Sequence, residues 1–255
     1  MSILFTYLHW VNSVLSESGG HVDGAEDVRE GQVLCQLIDV LNPGANLVMK
    51  VKASEEDAPV SYINTALDHM RGHGVKVTLQ AQDIISSNVK ATLDVLWALI
   101  LHYGIHFIGE SVQNRSAGEG KRLLLEWCQE VLNTTFDPSD QLTSTLSHGN
   151  WLVKLLEIAV QNSMQPSQNK PADIECLLGE IEHQYQIKRG IIKSNDIIEG
   201  TVDENGLMIF LSLLKRRGYS SFTTSRLENG YPLSRRSRSS HVLSAVDGSS
   251  PHSPI

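Results

Sequence analysis

The chain has 255 residues, of which 41% are hydrophobic and 20% charged, a composition typical of a protein with one large or two ordinary folded domains. Its formal net charge is −8, and residues 1–110 alone contain 6 Lys or Arg and 13 Asp or Glu. This acidity argues against nucleic-acid binding, because phosphate affinity comes mainly from clustered basic residues. The most apolar run, residues 91–101, is too short to cross a bilayer, so no transmembrane segment is predicted.

The first predicted element is a helix over residues 3–15. Apolar residues recur there at spacings of three and four, which is typical of a helix with one buried face. The predicted core face contains Leu4, Leu8, Val11 and Leu15, with Trp10 beside them.

Further helices are predicted along the first half of the chain, and almost no strands. Residues 31–41 and 61–71 have helical periodicity, and Pro or Gly residues follow each of them closely. Residues 89–103 are apolar nearly all round, which predicts a central helix wrapped by the others.

The second half of the chain repeats the first. Three pairs of segments align: residues 8–15 with 125–132, residues 31–44 with 149–162, and residues 83–101 with 196–214. A repeat of more than 100 residues can enclose its own core, so each copy is predicted to be a domain. The aromatic residues assigned to the two cores are Trp10, Trp97, Trp127 and Phe210.

The predicted boundaries place the first domain at residues 1–108, a polar linker at 109–117, the second domain at 118–217 and a tail at 218–255. The tail has 11 serines in 38 residues and includes the run LSRRSRSSH, a composition that predicts disorder. Phosphorylation beside the tail arginines would cancel their positive charge. The candidate phosphorylation sites are Ser237, Ser239 and Ser240.

Cysteine and histidine residues do not form a predicted metal or redox site. Three widely spaced cysteines in apolar surroundings, Cys35, Cys128 and Cys176, are predicted to be buried thiols in a reducing compartment. The histidine pairs 69/73 and 102/106 have i, i+4 spacing, but a glycine inside each pair is expected to end the helix. No nucleophile or acid/base motif is present in the sequence, so no enzyme activity, metal or cofactor is predicted.

These motifs, in this order, resemble a tandem pair of calponin homology domains of the actin-binding type. The first domain carries FTYLHWVN, GQVLCQLI, INTALDHMRGHGV and QDIISSNVKATLDVLWALILHY. The second carries GKRLLLEWCQEVL, GNWLVKLLEIAV and TVDENGLMIFLSL, of which the last is most similar to the filamin form. The resemblance covers residues 1 to about 217 and implies an all-α fold of two such domains, followed by the disordered Ser/Arg-rich tail.

The resemblance implies binding of F-actin in the cytoplasm, at the cytoskeleton. In this family three segments are held to meet the filament, and they correspond here to Phe5–Leu15, Lys90–Tyr103 and Lys121–Leu132. It further implies that a compact pair, with the first domain partly masked by the second, exchanges with an open pair that binds. The candidate actin-binding residues are Thr6, His9, Asn12, Ser13, Lys90, Asp94, Tyr103, Lys121, Arg122 and Gln129.

Two departures from the family pattern favour an alternative. Asp94 stands where the family usually has Gly, and Met1 lies almost on the first helix, where the family usually has an extension. The filament surface is acidic, so an acidic first domain is expected to bind it weakly. The alternative is a scaffold that has kept the fold, has lost actin binding and uses its acidic domain to engage another protein.

A phosphoinositide lipid is a secondary predicted partner. Lys121 and Arg122, together with the basic end at residues 215–217, are the side chains that would attract its phosphates. The overall negative charge of the chain weakens this prediction.

Overall fold

A computed structural model describes residues 3–51, 58–86, 88–105, 116–137, 141–147, 151–161 and 173–228, with side chains described up to residue 218 except at residues 147 and 161. These residues form helices and connecting turns, without a strand among them. The predicted all-α fold is confirmed. The candidate phosphorylation sites Ser237, Ser239 and Ser240 lie outside the described residues.

The first repeat consists of α1 to α7. Their bounds are α1 Ile3–Leu15, α2 Ala25–Arg29, α3 Gln32–Leu41, α4 Leu47–Lys50, α5 Ala58–Gly72, α6 Ala81–Ile85 and α7 Val89–Leu99. A 3₁₀ turn over Ser16–Ser18 follows α1, and a π-helical turn over Ile100–Ile105 continues α7.

The second repeat consists of α8 to α13. Their bounds are α8 Ala117–Leu132, α9 Leu142–Ser147, α10 Trp151–Gln161, α11 Ile174–Tyr185, α12 Ser194–Glu199 and α13 Glu204–Glu228. The backbone of α13 therefore stays helical for eleven residues beyond the predicted domain boundary at residue 217.

The two repeats pack in the same way, as the aligned segments predict. In the first repeat α3 packs on α5 and on α1, and in the second repeat α10 packs on α11 and on α8. A polar side chain caps a helix in each repeat: Asn88, before α7, accepts a hydrogen bond from the backbone N–H of Lys90 at 3.0 Å, and Ser116, before α8, accepts one from that of Glu119 at 3.2 Å. Each repeat is thus a helical unit with its own core.

The predicted core face of α1 is confirmed in part. Trp10, Val11 and Leu15 are buried as predicted, whereas Leu4 and Leu8 are only half-buried. Tyr7 and Val14 are buried in addition, so the buried surface of α1 is wider than predicted. The apolar spacing could not fix its extent, because α1 is apolar on more than one side.

Three of the four predicted core aromatics are confirmed as buried. Trp10 is 1% exposed, Trp127 5% and Phe210 1%. Trp97 is only half-buried, because one side of α7 faces away from the core, and its ring stacks on that of Tyr7 with centroids 5.7 Å apart.

The cysteine prediction is wrong at one position. Cys35 and Cys128 are buried, but Cys176 is exposed. The inward face of α11 is occupied by Leu177, Leu178 and Ile181, which leaves the preceding cysteine on the solvent side.

The helix with buried residues all round is α13 and not α7. Residues 206–214 of α13 are all buried, whereas α7 exposes Val89, Lys90 and Asp94. Since α13 contacts its own repeat as well as α1 and the π-helical turn, both sides of it are covered. The helical prediction for residues 89–103 is confirmed, but the prediction of a fully wrapped helix is not.

Glycine allows close approach at two places in the first repeat. Gly104 lies inside the π-helical turn and does not end the helix as predicted; a Cβ there would lie 3.2 Å from the Trp10 ring. Gly31, at the start of α3, has φ +74°, and a Cβ there would lie 2.9 Å from both the backbone N of Ile63 and the carbonyl oxygen of Pro59. The close contact between α3 and α5 thus depends on a glycine at position 31, which has no side chain.

We therefore expect Gly31→Ala to lower the free energy of unfolding by about 3 kcal/mol, from left-handed strain together with overpacking against backbone atoms. Urea unfolding followed by circular dichroism measures the loss. Gly19→Ala is the matched control, because Gly19 has φ +75° but nothing within 4 Å of the added Cβ, and should cost about 1 kcal/mol. Equal losses in the two variants would show that the contact with α5 is unimportant.

Candidate functional site

Helix α1 lies between the two repeats. One side carries Trp10 and its neighbours into the core of the first repeat, and the opposite side packs on the second repeat. Two of the predicted actin-binding residues, Thr6 and Ser13, are buried on this helix, and His9 is half-buried. The polar face of α1, which carries these predicted actin-binding residues, is therefore largely covered.

Residues of the loop between α11 and α12 cover the first half of α1. The rings of Phe5 and His9 meet edge to face with centroids 4.0 Å apart. A Cβ on Gly190 would lie 2.9 Å from Phe5 Cε1 and 3.1 Å from His9 Nε2. Only glycine at this position lets the loop approach α1 so closely.

The end of α1 is held by Arg217 of α13. Its Nη2 donates a hydrogen bond to the carbonyl oxygen of Ser13, and its Nη1 donates to those of Tyr185, at 2.6 Å, and Gln186, at 3.0 Å. Cations favour helix C-terminal carbonyls, and here one guanidinium serves both α1 and α11. Burial lowers the pKa of Arg217, but arginine keeps its charge in proteins.

A carboxylate of the first repeat faces the same basic end of α13. Glu17 lies 3.0 Å from Arg216 Nη2 and 3.9 Å from Arg217 Nη2. Half-exposed pairs of this kind contribute little by themselves, so the hydrogen bonds of Arg217 dominate this contact.

The π-helical turn also lies between the repeats, since it contacts α8 and α13. Tyr103, a predicted actin-binding residue, is 2% exposed there. The side chain of Asn12 forms hydrogen bonds within the first repeat. It donates to the carbonyl oxygen of Val22 at 2.8 Å and accepts from the N–H of Val22 at 2.7 Å. Both residues thus serve packing in this arrangement.

The outward side of α7 is open. Lys90 and Asp94 are exposed and form an ion pair at 3.1 Å. Beside them Val89, Leu93 and Trp97, spaced i, i+4 and i+8, leave an apolar stripe partly uncovered, with Val89 46% exposed. These three residues form the apolar stripe of α7. It was not predicted as a surface, because a helix that is apolar nearly all round is expected to be buried.

The basic residues that begin α8 all have acidic partners. Lys121 Nζ lies 2.6 Å from Glu204 of α13, and Arg122 pairs with Glu119 and Glu126 on its own helix. Gln129 is half-buried. At the other end of the predicted lipid patch, burial lowers the pKa of Lys215. The phosphoinositide site stays a prediction, and its positive charge is largely balanced.

The histidine pair on α5 is placed for hydrogen bonding within its own repeat. His69 Nε2 lies 3.3 Å from Asn42 Nδ2, and His73 Nδ1 lies 2.9 Å from the carbonyl oxygen of His69. Among the residues that the structure describes, no group of three or more His, Cys, Asp or Glu side chains could hold a metal ion. His106 of the second pair lies outside those residues.

Comparison with known proteins places this fold in a family. A model of the calponin homology (CH) domain matches the chain twice, at residues 5–105 and 118–220. The chain belongs to the calponin homology family. The two repeats are therefore calponin homology domains 1 and 2, and the tandem arrangement predicted from the sequence is confirmed.

The chain is also similar to several alpha-actinins. It is 37% identical over 126 residues to alpha-actinin-1 of Homo sapiens, a match that covers 49% of this chain and 14% of the human protein. Alpha-actinin-1 of Gallus gallus and alpha-actinin-3 of Mus musculus are 37% and 36% identical over 126 residues, in each case 13% of the relative. The match thus spans a small part of each relative's length, and the filamin-like form of domain 2 stays a prediction.

In the described part of the chain no helix has the length and apolar character that crossing a membrane requires.

We expect Arg217→Ala to separate the two domains, because the carbonyl of Ser13 loses a charged donor worth about 1.5–3 kcal/mol. Small-angle X-ray scattering should show a larger radius of gyration, with helicity by circular dichroism retained. Arg216→Ala is the matched control: it removes a neighbouring charge in a half-exposed pair and should change the dimensions little. Equal expansion in both variants would mean that net charge, and not the Arg217 contact, holds the domains together.

Proposed function

We propose that this chain binds F-actin as a non-enzymatic tandem calponin homology module, in the cytoplasm and at the cytoskeleton. The observation that carries the proposal is the presence of two matched domains in tandem, together with 37% identity to alpha-actinin-1 over 126 residues. The resemblance of the sequence motifs to actin-binding pairs supports the same function.

The filament contact is proposed to lie on domain 1. The apolar stripe of α7, with Lys90 and Asp94 beside it, offers partly exposed apolar area that is available in the compact arrangement. Exposed apolar residues next to charged ones are typical of protein interaction surfaces.

The polar face of α1 is proposed to be the second part of that contact. Thr6 and Ser13 are buried against domain 2, so they can meet a partner only after the domains separate. Actin affinity would then be reduced by the fraction of molecules that are open, as for any binding-competent minor state. The compact arrangement is in this proposal the weakly binding form.

An alternative proposal is a scaffold that no longer binds actin. It is favoured by the charge of residues 1–110, with 6 basic and 13 acidic side chains, which suits a basic protein partner.

Asp94 allows a charge test of the leading proposal. We expect Asp94→Asn to tighten binding to F-actin by about two- to fivefold at low salt, since it removes one exposed negative charge from a surface facing an acidic filament. Co-sedimentation with F-actin gives the affinity, and the gain should shrink at higher ionic strength. Weaker binding would show that the contact on α7 is wrongly assigned.

The control for this measurement is Asp68→Asn. Asp68 is also exposed and also paired with a basic residue on its own helix, Arg71 at 3.0 Å, but it lies on α5. It changes the net charge by the same amount and should leave binding unchanged. The proposal of actin binding would be overturned if neither the wild-type chain nor the opened Arg217→Ala variant pelleted at tens of micromolar filament. The scaffold proposal would then be the one that remains.

A further inference from the structure

The side chain of His9 lies where α1 meets domain 2. Its Nε2 is buried and has no hydrogen-bond partner among the residues that the structure describes. Phe5 packs against one part of the ring, and Gly190 of domain 2 leaves just enough room for it, since an added Cβ would lie 3.1 Å from Nε2. The imidazole therefore fits this interface as a neutral group.

The charges around His9 come mainly from domain 2, and they do not favour a second cation. Lys188, in the loop between α11 and α12, faces it, as does Glu182 of α11. Glu182 already pairs with Arg189 at 2.7 Å and Lys188 at 3.4 Å. From α13, Arg217 reaches Ser13, one turn further along α1.

A proton added to Nε2 would create a buried N–H without an acceptor and a charge beside lysine. Both costs disappear when the domains separate and water reaches the ring. Burial and Lys188 accordingly lower the pKa of His9 in the compact form, and Glu182 opposes them only in part.

We propose that His9 makes the closure of the two domains pH-dependent, with acid favouring the open pair. The proposal rests on the exchange between compact and open forms put forward above. It adds a specific trigger, the proton, and a specific residue that senses it.

The sign follows from linkage. A histidine in water has a pKa of about 6.5, whereas the compact form prefers the neutral ring of His9, so closure releases a proton. The stability of the compact form is complete above the open-form pKa and is lost as the pH falls below it, towards the lower pKa of the compact form. Between pH 7.5 and 5.5 the ratio of compact to open molecules should fall several-fold, with about tenfold as the limit for complete exclusion of the proton.

Fluorescence energy transfer between the domains measures this ratio without actin. One label goes on the exposed Cys176 of domain 2, and the other on a cysteine introduced at Met49 of domain 1, which is 84% exposed. The two native buried thiols should not compete, because burial raises the pKa of Cys35 to about 12 and that of Cys128 further. Transfer should fall reversibly from pH 7.5 to 5.5 in the wild-type chain.

His9→Gln should flatten this dependence, since glutamine is neutral throughout the range. An unchanged pH dependence in His9→Gln would overturn the proposal, as would a flat wild-type profile. Gly190→Leu is the positive control, because its side chain would wedge the loop away from Phe5 and His9 at every pH. If Gly190→Leu opens the pair while the wild-type profile is flat, the exchange stands and the role of His9 falls; if Gly190→Leu leaves transfer unchanged, the compact arrangement itself is wrong.

Discussion

The arrangement of the two domains depends on α1 being covered on two sides at once. On one side Trp10 fills the core of domain 1, and Gly104 makes room for its indole. On the other side the contacts with domain 2 include Gly190 and the guanidinium of Arg217. The interface also has an apolar part, because α1 and the π-helical turn cover one side of α13, whose residues 206–214 are all buried. Separation of the domains therefore has to overcome both hydrogen bonding at α1 and apolar burial at α13.

The periodicity of the sequence predicted the cores well, because burial inside a domain selects apolar residues at helical spacing. It could not predict the second face of α1. Thr6 and Ser13 look like solvated residues but are buried, and the residues of domain 2 that meet α1, such as Gly190 and Arg217, lie about two hundred positions away in the sequence. Gly190 gave no signal either, since a glycine needed for close approach looks in the sequence like any loop glycine. The prediction for Trp97 was wrong for the opposite reason. Its large aromatic side chain was assigned to the core, although one side of α7 is open to solvent.

The ion pairs also differ in whether the sequence alone could predict them: pairs within one helix are visible in the sequence, and pairs between helices are not. The partners of Lys90 and Arg122 lie three or four positions away on their own helices, where the sequence already displays them. The partner of Lys121 is Glu204, which only the packing of α8 on α13 brings near. A basic patch predicted by counting lysines and arginines thus becomes nearly neutral once the fold is known. Local neutralisation of this kind weakens the case for lipid phosphates more than the net charge of the chain does.

The duplicated helices α7 and α13 have diverged in what covers them. Nine consecutive residues of α13 are buried because α1 and the π-helical turn close its outer side. The equivalent side of α7 has no such cover among the described residues, and its apolar stripe stays partly exposed. An apolar stripe on a helix costs solubility unless a partner covers it, at least part of the time. This asymmetry is the physical reason for placing one part of the proposed filament contact on α7, whereas domain 2 covers the other proposed part, on α1.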